Sequence, residues 1–179
     1  MRQGPSANAR WLAGLSLGEK VTYLGVTQTD STDTTRSYHK IEVSDGTVGW
    51  SSEYTVAVDA EPSVAIKRTP IFRRPNLLTM TSEEFDPMEM LAIVEADSEW
   101  IRVVGRQNKK KGWVKLTAVS MRPEDVAVGV LARKALELRD NEDMADKLEL
   151  ILENPAFSGS VFINELDEMY RDARREERD

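Results

Sequence analysis

The chain has 179 residues, 40% hydrophobic and 31% charged, with a formal net charge of −7 and no cysteine. That composition excludes disulfides, thiolate nucleophiles and cysteine-rich zinc sites, and no apolar run approaches the roughly 20 residues that span a bilayer. The charge is unevenly divided. Residues 1–120 carry 15 Lys/Arg and 15 Asp/Glu, whereas residues 121–179 carry 9 and 16, which marks a domain boundary near residue 120.

In chain order, the first 120 residues read as short strands. The start is strand-like, with no basic-then-apolar leader, so the protein is expected to be cytoplasmic or to have lost a targeting segment. Lys20 to Leu24 alternates, with Val21 and Tyr23 on one face. Gly25 through Ser37 reads as a long polar loop, and loops of that length in small β modules are disordered or functional. His39 to Val43 alternates again, and Asp45-Gly46 supplies the turn of a tight hairpin before Val48 resumes a strand. Further on, Met88, Met90, Ala92 and Val94 share one face of a strand, and Ile101 and Val103 share a face of the next. The connection from Asp59 to Ser63 is too short for a free tether, so two docked modules are expected.

The reason to count two modules is a repeat. Met1-Arg2-Gln3-Gly4-Pro5 and Ile66-Lys67-Arg68-Thr69-Pro70 share the pattern apolar, basic, any, any, proline. Each is followed by an aromatic, any, basic, aliphatic stretch, Tyr38-His39-Lys40-Ile41 and Trp100-Ile101-Arg102-Val103, and then by a Gly-Trp pair, Gly49-Trp50 and Gly112-Trp113.

After Ser120 the period becomes helical. Pro123 followed by Glu124 and Asp125 is a helix start, and the run to Arg139 places Ala127, Val128, Leu131, Ala135 and Leu138 on one stripe. A second helix from Glu142 to Leu152 carries Met144, Leu148, Ile151 and Leu152, and Asn154-Pro155 ends it. Ser160 caps a third, with Phe162, Leu166, Met169 and Tyr170 as its stripe and a charged end from Arg171 to Asp179.

With these residues in view, residues 1–120 resemble two tandem bacterial Src-homology-3 domains. Met1-Arg2, Pro5-Ser6, Leu15, Gly18, Val21, Lys40-Ile41, Gly46 and Gly49-Trp50 match the family pattern in the first copy. Ile66-Lys67, Pro70, Trp100, Arg102-Val103 and Gly112-Trp113 match it in the second. The second copy departs from the pattern at Phe85-Asp86-Pro87 and at Asn108-Lys109-Lys110-Lys111. The resemblance implies an α+β chain of two small all-β barrels, residues 1–62 and 63–120, with an acidic segment of about three helices at 121–179 that resembles no family.

Catalytic signatures are lacking. His39 is the only histidine and alternates with Ile41 and Val43 on a strand face. No glycine-rich phosphate loop and no cluster with metal-ligand spacing occurs, and the acid pairs Glu83-Glu84 and Glu176-Glu177 read as solvated. A non-enzymatic protein without cofactor or metal is expected. Trp50, Trp100 and Trp113 read as structural core residues. Trp11, which has no evident counterpart in the second copy, is a candidate ligand contact, and the resemblance adds Asp30, Asp33 and Tyr38 as groove-rim candidates. Lys109 to Lys111, with Arg102 and Arg106, form the one basic cluster. It reads as a solubilising hairpin tip, because residues 1–120 are neutral overall and no aromatic interrupts the run, so nucleic acid is not an expected partner.

The resemblance implies a binding protein of the cell envelope or periplasm with a peptide or protein partner, either a peptidoglycan stem peptide or a segment of another protein. The alternative is a structural adaptor in which the barrels are a spacer and the C-terminal helices make the contact.

Overall fold

The computed structural model describes residues 1–106, 109–138 and 141–176. Asn108, Arg139 and Glu177–Asp179, which the sequence reading assigned to a hairpin and to helix ends, lie outside the described residues. The chain is α+β. Strands β1 (Thr22–Thr29), β2 (Ser37–Glu42) and β3 (Val48–Ser52) form one antiparallel sheet in that order. A second antiparallel sheet holds β4 (Glu61–Ala65), β5 (Thr69–Phe72), β6 (Met80–Phe85), β7 (Met90–Asp97), β8 (Trp100–Gly105), β9 (Lys111–Lys115) and β10 (Val119–Ser120), in the order β10-β4-β7-β8-β9-β5-β6. Three helices follow, α1 (Pro123–Leu136), α2 (Asn141–Leu152) and α3 (Ile163–Glu176). No helix among the described residues is long and apolar enough to cross a membrane.

The polar segment expected as one loop from Gly25 to Ser37 is strand at both ends, Gly25–Thr29 and Ser37. Thr27, Gln28 and Thr29 pair with His39, Tyr38 and Ser37, as β-branched threonines favour. Gly25, at φ 74°, lies within the irregularity between Tyr23 and Thr27 that bends the strand. Only residues 30–36 remain as the connection.

The pairing also resets the repeat. Arg2 bridges Trp50 and Trp11. In the second sheet it is Phe72 that pairs with Trp113 and Met80. Met1 therefore corresponds to Ile71, and Pro5 to Pro75, five residues later than the Ile66–Pro70 match. Both segments fit the apolar-to-proline pattern, and strand register decides between them. A Cβ at Gly49 would lie 2.6 Å from the Met1 side chain and 2.8 Å from Arg2 O. At Gly112 it would collide with the Ile71 side chain and lie 2.8 Å from Phe72 O. The glycine of each Gly-Trp pair is required because another strand passes directly over it. The remaining matches stand as read, since Lys40 pairs with Trp50 and Arg102 with Trp113.

The second sheet packs a core of Ala65, Ile71, Phe85, Leu91, Ile101, Val103 and Val114 on one side. On the other, the helices bury Val128, Ala132, Ala135, Leu148, Ile151, Phe162 and Leu166 against Val64 and Met88. Successive residues of β4 thus serve two cores, as the two-residue strand period dictates. Close approach of α1 depends on Gly129, where a Cβ would lie 2.6 Å from Val64 Cγ2.

Asp125, the third residue of α1, is fully buried. It accepts hydrogen bonds from Ser120 Oγ at 2.6 Å and from the Val161 N–H at 2.9 Å, so it ties the last strand, the first helix and the approach to α3. Burial pushes its carboxyl up, but these bonds, a further one from Ser160 and the Arg122 charge together hold it below the ordinary carboxylate value.

Two outcomes follow from this junction. Gly129→Val should lower stability by about 1–3 kcal/mol through overpacking against Val64, measured by urea unfolding. Asp125→Ala should cost about 1–3 kcal/mol at neutral pH by unpairing its donors. Because the folded-state value is depressed, Asp125 stabilises above the ordinary carboxylate range near 3.9 and loses that contribution as pH falls through its folded value. The variant should therefore show a shallower acid limb in a stability-versus-pH profile.

Candidate functional site

Residues directly opposite one another on paired strands share a sheet face. In the second sheet, Ile101, Val103 and Val114 face the core. Trp100 and Arg102 on β8, with Trp113, Phe72 and Met80 on the strands beside it, therefore occupy the opposite face. The same register in the first repeat places Tyr38 and Lys40 on β2, followed across the sheet by Trp50, Arg2 and Trp11. The row of the first repeat alternates cations with tryptophans, Lys40, Trp50, Arg2 and Trp11, whereas that of the second starts at Arg102 and continues through Trp113, Phe72 and Met80 without a further cation.

The three tryptophans expected in the core all sit on this outer face, because the inward positions beside them go to Ser51, Ile101, Val103 and Val114. Trp100 is nevertheless buried. Phe72 meets it edge-on at 4.9 Å between ring centroids, and Lys115 Nζ lies 4.0 Å above its ring. Trp50 and Trp113 are half-buried.

Trp11 ends the row of the first repeat and is 62% exposed; Met80 ends that of the second and is 63% exposed. Trp11 therefore has a counterpart, which the mis-set repeat register concealed. The loops leading to the two residues are built alike. Gln3 N–H donates to Arg10 O, as Arg73 N–H does to Thr79 O, at 2.8 and 3.0 Å. In the second loop Asn76 accepts from the Leu78 N–H, which leaves Leu77 and Leu78 projecting, the latter 94% exposed. Sequence reasoning missed Leu77, Leu78 and Met80; alignment through Pro75 was the signal that could have found them.

The other rim candidates divide. Tyr38 is buried on the outer face. Asp30 is buried and accepts from Thr32 Oγ1 at 2.7 Å, Thr32 N–H at 2.8 Å and Ala7 N–H at 3.2 Å. These bonds, the Thr32 hydroxyl first, hold its carboxyl well below the usual range. Its role is to fasten the 30–36 connection to the loop before Trp11. Asp33 accepts from Thr35 Oγ1 and N–H and pairs with Arg36 at 2.9 Å; the Thr35 bonds lower its carboxyl too.

His39 Nδ1 lies 2.9 Å from Thr27 Oγ1, itself 2.8 Å from Tyr23 Oη. Among the described residues, no group of three or more His, Cys, Asp and Glu is placed to hold a metal ion. Two cations of the basic hairpin, Arg106 and Lys110, are partnered from elsewhere in the chain. Lys110 Nζ donates to Glu84 O at 2.8 Å and meets Glu89 at 3.3 Å, and Arg106 meets Glu137. A cleft of about 350 Å3 beside it is lined by Glu89, Arg106, Lys109 and Lys110. A larger one of about 550 Å3 lies between residues 16–20, Pro62 and α1.

No protein-family model matches this chain, and no curated protein matches it.

Trp11→Ala should leave the melting temperature close to that of the parent, since exposed substitutions change stability by roughly ±0.5 kcal/mol. Trp100→Ala should cost about 3–5 kcal/mol. Paired thermal melts distinguish the outer-face anchor from its support.

Proposed function

We propose that this is a non-catalytic binding protein of the bacterial cell envelope or periplasm, in which two Src-homology-3-like barrels recognise an extended peptide. The observation that carries the reading is the matched outer-face row in both repeats, ending in exposed Trp11 and Met80. An exposed tryptophan beside an arginine, and an exposed methionine beside aromatic side chains, are typical of recognition surfaces. Lys40 and Arg2, set among Tyr38, Trp50 and Trp11, favour a peptide that carries carboxylates, as a peptidoglycan stem peptide or an acidic segment of a partner protein does. The resemblance of residues 1–120 supports the barrel assignment and the envelope setting. The adaptor reading has less support, because the apolar stripes of the helices, Leu131 and Leu138 apart, are packed against one another and against Val64 and Met88.

Titration of the full chain with a stem peptide and with an amidated version lacking free carboxylates tests the proposal. Binding should perturb tryptophan fluorescence, weaken on amidation and fall about tenfold or more in Trp11→Ala at unchanged melting temperature. If Trp11→Ala binds as the parent does, the row is not the site.

A further inference from the structure

The loop between β5 and β6 is held together by its own polar groups. Thr79 Oγ1 donates to Asn76 O at 2.8 Å, with Arg74 O at 3.0 Å, and accepts from the Arg74 N–H at 3.2 Å. Asn76 Oδ1 accepts from the Leu78 N–H at 2.8 Å, and the Thr79 N–H returns to Asn76 O at 3.0 Å. None of these bonds uses the side chain of Leu77 or Leu78, which stand 65% and 94% exposed at the tip. Exposed Met80 continues their apolar surface at the base of the loop.

The first repeat shows that the loop can be built without those leucines. Its equivalent closes through the Gln3 N–H to Arg10 O bond, and Ser6 Oγ accepts from the Asn8 N–H as Asn76 does from that of Leu78. Counted from Pro5 and Pro75, Gln3, Gly4, Ala7 and Asn8 stand where the second repeat has Arg73, Arg74, Leu77 and Leu78. Two cations and two leucines therefore occur together in one loop and are absent together from the other. Both arginines are exposed, and neither takes part in an ion pair among the described residues.

We infer that the β5–β6 loop is a membrane-contact element: Leu77 and Leu78 enter the apolar layer of an anionic lipid surface while Arg73 and Arg74 meet its phosphate headgroups. An exposed apolar tip marks a contact surface, and the unpaired arginines beside it fix the sign of what it meets. A protein partner is read through directional hydrogen bonds as well as apolar area. Here the polar side chains between Arg74 and Met80, those of Asn76 and Thr79, are already engaged within the loop. What remains is apolar area and positive charge, the two signals whose combination holds a protein at a bilayer when either alone is marginal. The long arginine side chains can lie along the headgroup layer while the leucines sit deeper. The acidic excess belongs to residues 121–179, whose helices pack on Val64 and Met88. This contact does not rest on the peptide reading, since neither leucine belongs to the outer-face row.

The test is co-sedimentation of the full chain with vesicles of phosphatidylcholine alone and of phosphatidylcholine mixed with phosphatidylglycerol. The chain should bind the mixed vesicles only, and high salt should weaken that binding about tenfold or more as the headgroup charge is screened. The double variant Leu77→Ala, Leu78→Asn, which installs the residues of the first repeat, should weaken it by about tenfold or more at unchanged melting temperature. Arg73→Gln with Arg74→Gln should do the same. Failure of the parent to bind mixed vesicles at low salt overturns the inference and assigns the tip to a protein surface instead. Binding that the leucine variant retains in full, or that phosphatidylcholine alone matches, overturns it as well. None of these outcomes bears on stem-peptide binding, which Trp11→Ala reports.

Discussion

The double role of β4 is the constraint on which the rest of the second repeat and the helical segment depend. Its Ala65 belongs to the core between strands and its Val64 to the core under the helices, and it is hydrogen-bonded to β7 and β10 at once. Five residues therefore join the sheet to α1, and the close contact at Gly129 makes that join tight. The buried Asp125 serves the same junction from the chain direction, since one carboxylate answers donors on β10 and on the turn before α3. Burying such a group is costly unless it is bonded. Here the bonds specify where the helices sit as well as offsetting the cost of burial.

The helical third of the chain was the most legible part of the sequence. Pro123 opens α1, Asn154 caps the turn after α2, and Leu148, Ile151, Phe162 and Leu166 lie in the core as their spacing indicated. A 3.6-residue period over a dozen residues leaves little ambiguity. The strands were legible in kind but less so in face. A Gly-Trp pair at a strand start fits either side of a sheet, and only the partner residues show that Trp50 and Trp113 face away from the Val103 and Val114 core. The repeat was visible in Tyr38 to Ile41 and Trp100 to Val103, yet its N-terminal half was misregistered by five residues. Two neighbouring apolar-to-proline segments competed, and the choice rests on hydrogen bonds between residues some forty apart.

Charge behaves in the same way. The lysine hairpin is conspicuous in sequence, but the Glu84 carbonyl on β6 and the carboxylates of Glu89 in the β6–β7 turn and Glu137 at the end of α1 answer Lys110 and Arg106. In the helices, Arg174 reaches Asp146 and Glu149, so part of the acidic excess is used to hold α3 against α2. Asp30, a rim candidate through the resemblance, accepts from Ala7 and Thr32. In each case a polar residue took its role from a donor or acceptor remote in sequence or hidden in the backbone, and such partners leave no periodic trace.

The two repeats share their strand register and differ in what fills it. Where the second has Leu91, Ile101 and Val114, the first has Val21, His39 and Ser51, and its buried large apolar side chains among the described residues are Tyr38, Ile41 and Val43. Apolar burial contributes about 25 cal/mol per Å2, so the first repeat gains less from its own interior. A repeat of that kind is where bound peptide has most leverage. A ligand that binds only the folded state stabilises it by RT ln(1 + [L]/Kd), and that increment is a larger share of a small stability than of a large one. The Trp11 end of the outer-face row lies on this weaker half, so its occupancy would be felt first as local ordering of residues 1–58, while the β4 junction holds the rest of the chain unchanged.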